Sequence, residues 1–221
     1  MIRLAISTLL LVCSRFLSFG QEILVQPYLQ PGNASALTKE MKVLIWQTDS
    51  IPGKFKVEIS LSSANQKVSE AKISVTKLCL NNKTFLLYRA NLSGLKFDAS
   101  YQYKVYLNEK LLMESTFNTR TKNQNARFAV LGDCGAGTLQ QAQIANQIYQ
   151  NKPEFVLVTG DNVYQRGLEN EYRKNFFPYY NAPEANPEVG APLMKSIPFY
   201  LLIGNHDVFG ANLDKTPDGL A

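Results

Sequence analysis

Three short segments of this sequence combine glycine with side chains that can bind metal ions: Gly132-Asp133, Gly160-Asp161 and Gly204-Asn205-His206-Asp207. Asp and Asn supply hard oxygen ligands, which suit divalent and trivalent cations. A cation held by such ligands can polarise a phosphoryl oxygen and activate water. The three segments therefore indicate metal-assisted hydrolysis.

Each of these segments follows a compact apolar run: Phe128–Leu131, Phe155–Val158 and Phe199–Ile203. Strands separated by helices predict parallel βαβ units. In open α/β sheets, ligands bind just outside the carboxyl ends of the strands. The glycines fit this position because the chain must turn sharply there and approach a ligand closely.

Two helices are predicted between these strands. Leu139 to Gln150 has a buried face at three- and four-residue spacing, formed by Ala142, Ala145, Ile148 and Tyr149. Pro153 ends this helix and leads into the next strand. The segment from Glu169 to Tyr180 is predicted as a second helix that stops near Pro178, and residues 182–191 as a loop.

The part of the chain before these motifs has a different period. Phe55, Val57, Ile59 and Leu61 alternate with polar residues, which predicts a half-buried strand. Similar runs occur at Val43–Thr48, Ala71–Thr76, Thr84–Ala90, Tyr101–Leu107 and Ser115–Thr119. Many short strands at regular spacing predict a β-sandwich.

The turn Leu92–Leu95, followed by Tyr101 and Tyr103, resembles the corner of a fibronectin type III-like domain, in which a tyrosine fixes the turn. Trp46 is then a core residue. The period changes after the polar segment 121–125. The predicted architecture is a fibronectin type III-like β-sandwich over residues 21–121, followed over residues 126–221 by an α/β domain that, through the three glycine motifs, resembles an incomplete metallophosphoesterase domain.

The segments Gly132-Asp-Cys-Gly135, Gly160-Asp-Asn-Val-Tyr164 and Gly204-Asn-His-Asp207 resemble the first three motifs of the calcineurin-like metallophosphoesterases. A tyrosine three positions after the second aspartate, and a preceding β-sandwich, make the chain similar to purple acid phosphatases in particular.

This resemblance implies a binuclear centre of Fe(III) with a divalent Fe, Zn or Mn ion. Asp133 would hold the first metal, Asp161 would bridge both, Tyr164 would bind the ferric ion and Asn205 the second metal. His206 would lie beside the phosphate, where it could stabilise charge or protonate the leaving group.

Other residues near the motifs have two interpretations each. Asp207 either fixes the orientation of His206, as a second catalytic residue, or caps the following turn. Cys134 is interpreted as a small, partly buried filler rather than a ligand. Arg166 could bind phosphate, but a solvated loop charge is the preferred interpretation.

The family pattern also contains further metal-binding histidines, one in a fourth motif and two in a Gly-His-x-His motif, whereas His206 is the only histidine here. Asp133, Asp161, Tyr164 and Asn205 cannot fill two shells of five or six ligands. We therefore expect either a truncated gene product or a partial sequence, which is poorly stable in its second domain and inactive as it stands.

Residues 1–20 are predicted as a cleaved signal peptide, because a short basic region precedes an apolar run and small residues follow. The rival, a membrane anchor, is disfavoured because Arg15 interrupts a run shorter than the roughly 20 residues that span a bilayer. Without this segment, Lys+Arg falls from 23 to 21 against 18 acids, and the net charge from +5 to +3. Such a charge does not indicate nucleic-acid binding.

The mature protein is expected to be secreted or periplasmic, without stable membrane insertion. Cys79 and Cys134 would lie in different domains, so no disulfide framework is predicted. Sequons at Asn33, Asn82 and Asn91 are either glycosylation sites or chance triplets.

Three functions follow in order of preference. The first is a phosphoric monoester hydrolase acting on a phosphorylated small molecule or protein. The second is a related phosphodiesterase or nucleotidase. The third is a non-catalytic secreted module that binds a partner through its β-sandwich.

Overall fold

The computed structural model describes residues 21–32, 38–63, 66–80, 82–122 and 125–208. The predicted signal peptide, the sequon at Asn33 and the segment after residue 208 lie outside the described residues. Within these ranges the structure contains no helix with the length and apolar character needed to span a bilayer.

The first part of the described chain consists of antiparallel strands. These are β1 (Ile23–Pro31), β2 (Glu40–Thr48), β3 (Phe55–Leu61), β4 (Gln66–Glu70), β5 (Lys72–Leu80), β6 (Lys83–Leu95), β7 (Ser100–Leu107) and β8 (Lys110–Asn118). They form two four-stranded sheets, with strand orders β1-β2-β6-β5 and β4-β3-β7-β8. Inward side chains of both sheets, among them Leu44, Ala90, Ile59 and Val105, belong to one core cluster.

The aromatic residues of this core lie where the sequence predicts them. Trp46 is fully buried and stacks on Tyr88 with ring centroids 5.3 Å apart, which confirms its role as a core residue. The hydroxyl of Tyr101 accepts a hydrogen bond of 2.9 Å from the backbone N–H of Lys96 and so fixes the chain after β6. The narrower assignment to a fibronectin type III-like domain stays a prediction.

Strands β1 and β4 were not among the predicted runs. Pro27 lies within β1, and proline argues against a strand because it has no N–H to donate to a ladder. It is tolerated here because β1 is an edge strand, and the register with β2 shifts between Val25 and Tyr28. Strand β8 also begins at Lys110, earlier than the predicted Ser115.

The second part of the described chain is a three-stranded parallel sheet with helices. Its strands are β9 (Phe128–Leu131), β10 (Phe155–Val158) and β11 (Phe199–Leu201), in the order β11-β10-β9. Its helices are α1 (Leu139–Gln150), α2 (Glu169–Glu171), α3 (Phe177–Tyr180), α4 (Leu193–Ser196) and α5 (Asn205–Val208). The parallel pairing of all three strands confirms the βαβ prediction.

The two faces of this sheet differ in burial. Val156, Val158 and Phe199 point to one side and belong to a buried core. Phe128 and Val130, which alternate with covered positions, are 51% and 56% exposed. Among the described residues, the second part therefore buries only one face of its sheet well.

Helix α1 has the predicted bounds. The hydroxyl of Thr138 caps its start by accepting from the N–H of Gln141 at 3.3 Å. Ala142 and Ala145 are fully buried, whereas Ile148 is partly buried. The helix thus presents its predicted face to the core of the second part.

The predicted second helix, Glu169 to Tyr180, is helical throughout but not uniformly α. A π-helical turn, Tyr172–Phe176, joins α2 to α3, and the N–H of Phe177 bonds to the carbonyl of Tyr172. Pro178 explains the irregularity, because proline has no N–H and its ring clashes with the carbonyl four residues earlier. Helix α4, after the 182–191 loop, was not predicted.

The two parts contact each other through hydrogen bonds and aromatic packing. The hydroxyl of Tyr103 in β7 donates to the carbonyl of Lys195 at 2.7 Å. The side-chain amide of Gln47 donates to Glu169 at 2.7 Å. Tyr28 packs on Phe177 with ring centroids 5.1 Å apart. The two parts therefore contact each other at several separate points.

Candidate active site

The carboxyl ends of the three parallel strands place the predicted motifs at one edge of the sheet. The N–H of Asp133, after β9, donates to the carbonyl of Gly160, after β10, at 3.2 Å. The N–H of Cys134 donates to the carbonyl of Asp161 at 3.2 Å. The first two strand-end loops are therefore joined through their backbones.

Close backbone approach explains two of the glycines. A Cβ on Gly204 would lie 2.2 Å from Oδ1 of Asp161, and a Cβ on Gly160 would lie 2.9 Å from Cα of Gly204. Gly160 also has φ of +118°. Asp133 and Asp161 themselves have φ of 52° and 50°, a left-handed conformation that Asp tolerates better than most residues. The second and third loops therefore pack too tightly for larger residues.

Two of the four predicted metal ligands are in direct contact. The hydroxyl of Tyr164 donates a hydrogen bond to Oδ1 of Asp133. This bond raises the pKa of the Tyr164 phenol, and the nearby carboxylates of Asp133 and Asp161 act in the same direction. Asn205 is exposed at the start of α5, directly after Gly204.

His206 lies within this group of residues. Its backbone N–H donates to Oδ1 of Asp161 at 3.0 Å. Its ring packs against the ring of Tyr164, with centroids 4.7 Å apart. Its Nδ1 is 3.2 Å from the carbonyl oxygen of Gln165. The histidine is thus oriented by the second strand-end loop.

Asp207 is buried, with 2% exposure, and holds the loops together. Its carboxylate accepts from the N–H groups of Asn162 at 3.0 Å, Val163 at 3.3 Å and Gly204 at 2.9 Å. It also accepts from the hydroxyl of Tyr172 at 3.0 Å. These contacts favour a structural role over direct catalysis, and they differ from a simple cap because they join separate segments.

The remaining candidates are placed as follows. Cys134 is buried, and burial raises the pKa of its thiol to about 12. Because a thiolate would be needed for metal binding, this favours the interpretation of Cys134 as a filler. The side chain of Arg166 is exposed, while its N–H donates to Glu171.

The sequence did not single out Glu171, Tyr172 or Gln165 as site residues. Glu171 and Tyr172 lie in the helical segment after the second motif and reach back to the loops. Glu171 lies three residues after Leu168, the residue that precedes α2, and this is the position of the Glu in a capping box. Leu168 has no side-chain oxygen to accept the second hydrogen bond of that motif, so the sequence lacks the usual pattern. Gln165 contributes a backbone carbonyl, for which a sequence carries no signal.

The donor set fits hard cations in type but falls short in number. Asp133, Asp161, Tyr164 and Asn205 offer oxygen ligands, the class that ferric and divalent ions of this kind accept. Among the described residues, no group of three or more His, Cys, Asp or Glu side chains is arranged to hold a metal ion. These residues therefore fit part of a binuclear centre and do not make up two coordination shells.

Comparison with known proteins agrees with the motifs. A family model described as calcineurin-like phosphoesterase matches residues 126–219. Purple acid phosphatase 4 of Arabidopsis thaliana is 35% identical over 92 residues, which cover 38% of this chain and 24% of that protein. The chain thus spans about a quarter of the length of this curated relative.

A solved structure is also similar, namely purple acid phosphatase PPD1 from yellow lupin (Lupinus luteus) seeds. The TM-score is 0.60 at 15% identity, and the match covers 81% of this chain and 35% of that one. At this identity the likeness concerns the fold. Together, the three comparisons support the resemblance read from the motifs: residues 126–219 match the calcineurin-like phosphoesterase family, and the chain is similar to purple acid phosphatases in part of its sequence and in fold.

Proposed function

We propose that this chain belongs to a metal-dependent phosphoric monoester hydrolase of the acid phosphatase type. The observation that carries the proposal is the meeting of three strand ends. Tyr164 bonds to Asp133, and the N–H of His206 bonds to Asp161, so residues from three separate segments share one edge of the sheet. Ligands bind at this edge in open α/β sheets.

In the proposed centre, Asp133 and Tyr164 would hold a ferric ion, Asn205 would hold a divalent Fe, Zn or Mn ion, and Asp161 would serve both. The bound cations would polarise the phosphoryl oxygens and activate water. His206 contributes a ring held next to Tyr164, where it can donate to a phosphate oxygen or to the leaving group.

Four donors limit how firmly two metals are held. Each ion of this kind takes about five or six ligands. We therefore expect the 221-residue chain to bind a ferric ion more readily than a complete pair, and to hydrolyse phosphate esters weakly or not at all. Further nitrogen ligands would be needed for two full shells.

Ferric binding by Tyr164 gives a direct test, because a phenolate bound to Fe(III) absorbs visible light. Fe(III) is added to the purified chain and the visible spectrum is recorded. We expect a band that Tyr164→Phe abolishes. Tyr106→Phe is the matched control, because Tyr106 lies in β7 and hydrogen-bonds to Glu58 within the first part. A parent chain without the band, or a band that survives Tyr164→Phe, would contradict the proposed ligand set.

Substrate class is tested by comparing an aryl phosphate monoester with the corresponding diester, in this chain and in any product that extends it in frame. Asp161→Asn should remove any metal-dependent turnover. Asp98→Asn is the control, because Asp98 has the same left-handed backbone, with φ of 52°, in the first part. Preference for the diester would favour a phosphodiesterase or nucleotidase.

The non-catalytic alternative depends on the first part alone. A partner that binds tightly to residues 21–121, together with no ferric binding at Tyr164, would support a secreted binding module. Secretion or periplasmic location is itself part of the proposal, and so are the phosphorylated substrate and the lack of nucleic-acid binding and membrane insertion.

A further inference from the structure

The carboxylate of Glu171 binds the backbone of the loop that follows Tyr164. It accepts from the N–H groups of Gln165 at 2.9 Å, Arg166 at 3.0 Å and Leu168 at 3.0 Å. Burial alone would raise the pKa of this carboxyl group. The backbone N–H bonds, including one from Gly167, outweigh burial and lower the pKa. The loop therefore favours the charged form of the Glu171 carboxyl group.

This loop fixes the carbonyl of Gln165, which lies 3.2 Å from Nδ1 of His206. A carbonyl oxygen can only accept a hydrogen bond, so the ring nitrogen that faces it must carry the proton. In a neutral imidazole only one of the two ring nitrogens carries a proton, and the hydrogen bond that the ring makes determines which one. The contact therefore places the proton on Nδ1 and the lone pair on Nε2.

Other contacts keep the ring in this position. The ring of Tyr164 packs on it at 54° between planes, and Asp161 accepts from its backbone N–H. These contacts set where the ring lies, whereas the Gln165 carbonyl sets which nitrogen is protonated. The position of the ring and its tautomer can be tested separately, because the position of the Gln165 carbonyl depends on the loop that Glu171 binds.

We propose that Glu171 is a positioning residue that, through the carbonyl of Gln165, holds His206 in the tautomer protonated at Nδ1. The tautomer does not depend on the proposed function.

The only histidine in the sequence makes the proposal directly measurable. The full chain is labelled with 15N-histidine, and the nitrogen shifts of its single imidazole are recorded at a pH at which the ring is neutral. We expect the Nδ1–H tautomer to be the majority species. In Glu171→Ala, the Nδ1–H fraction should fall below half because the loop is released.

Two further variants keep the test independent of folding. Glu171→Gln retains one acceptor oxygen, so we expect an intermediate fraction in a protein that remains folded, as judged by its amide spectrum. Gln165→Ala removes the side chain but keeps the carbonyl, so the tautomer should not change. Glu169→Gln is the matched control on the same helical turn, because Glu169 binds Arg173 and Gln47 instead of the loop.

Each outcome decides the proposal. A parent chain with mainly Nε2–H, or folded Glu171 variants with the parental tautomer, would overturn it. A role of Glu171 as a helix cap alone would lower stability without moving the tautomer. Because the readout is a protonation site and not phosphate release, it can fail while the proposed function stands, and the reverse is equally possible.

Discussion

At the scale of single residues, the site relies on carboxylates that bind backbone groups as much as on those that could bind metal. Asp207 and Glu171 each accept several N–H bonds, whereas Asp133 and Asp161 lie at strand ends with left-handed backbones. Hydrogen bonds to charged groups are stronger than those between neutral partners. The candidate ligands are therefore supported by a hydrogen-bonded layer beneath them.

Asp207→Asn should destabilise the second part of the chain. The amide keeps one acceptor oxygen but points N–H groups at the backbone donors of Asn162 and Gly204. Leaving such buried groups unsatisfied costs about 1–3 kcal/mol, or more where a charge is involved. Tyr172→Phe removes a single hydrogen bond and should cost about 1 kcal/mol.

Cys134 provides the measurement for these variants. Its thiol is buried with a pKa raised to about 12, so a thiol reagent should reach it only when the second part opens. Cys13 and Cys79 are replaced by Ser in the background to leave one thiol. Faster labelling of Cys134 in Asp207→Asn than in the background protein is expected; equal rates would mean that the carboxylate contributes little.

At the scale of elements, three strands and their following loops were predictable because hydrophobic period and glycine position are local signals. The bounds of β9, β10 and α1 agree with the predicted ones. The π turn between α2 and α3 was not predicted, although Pro178 marks its cause. Pro178 indicates that the regular helix is interrupted, but packing determines that the backbone forms a π turn there.

The helical segment should lose stability in acid through Glu171. The pKa of this carboxyl group is lowered from its usual 4.5, so its stabilisation is complete above the unfolded value and is lost as pH falls through the folded pKa. Glu171→Gln should therefore weaken the second part at neutral pH and flatten its stability loss in acid. Thermal unfolding at about pH 7 and about pH 4 tests this. An equal loss of stability between the two pH values in the parent chain and in Glu171→Gln would contradict this prediction.

At the scale of the whole molecule, the two parts differ in how well they bury apolar surface. The core of the first part lies entirely between Leu29 and Phe117, and its large aromatic residues are buried. In the second part, Leu202 and Ile203 are each 62% exposed, next to the edge strand β11. Stability should therefore be unevenly distributed along the chain.

Residues 21–121 are expected to fold without the rest of the chain, because their core is closed within that range. Trp46, the only tryptophan in the sequence, reports on this core. Its fluorescence should show one cooperative urea transition in the fragment and in the full chain alike. Residues 126–221 alone should lack a cooperative transition by circular dichroism. A fragment 21–121 without a cooperative transition would show that contacts such as Tyr103 to Lys195 are required.

The sequence was sufficient to predict the three parallel strands, helix α1, most strands of the first part, the order of the motifs and the identity of the candidate ligands. It was sufficient because the period of apolar residues and glycine before an acidic side chain are properties of neighbouring residues. Trp46 in the core and Asp133 and Asp161 after their strands are examples that the structure places as the sequence predicts.

Which groups orient these candidate ligands depends on the tertiary structure. Asp207 reaches Asn162 and Tyr172, and Glu171 reaches the loop that faces His206. Such contacts join residues that are distant in sequence or use backbone atoms, whose positions depend on how strands and helices pack. No local pattern encodes the carbonyl of Gln165 beside an imidazole, because every residue has a carbonyl and only the fold determines what it meets.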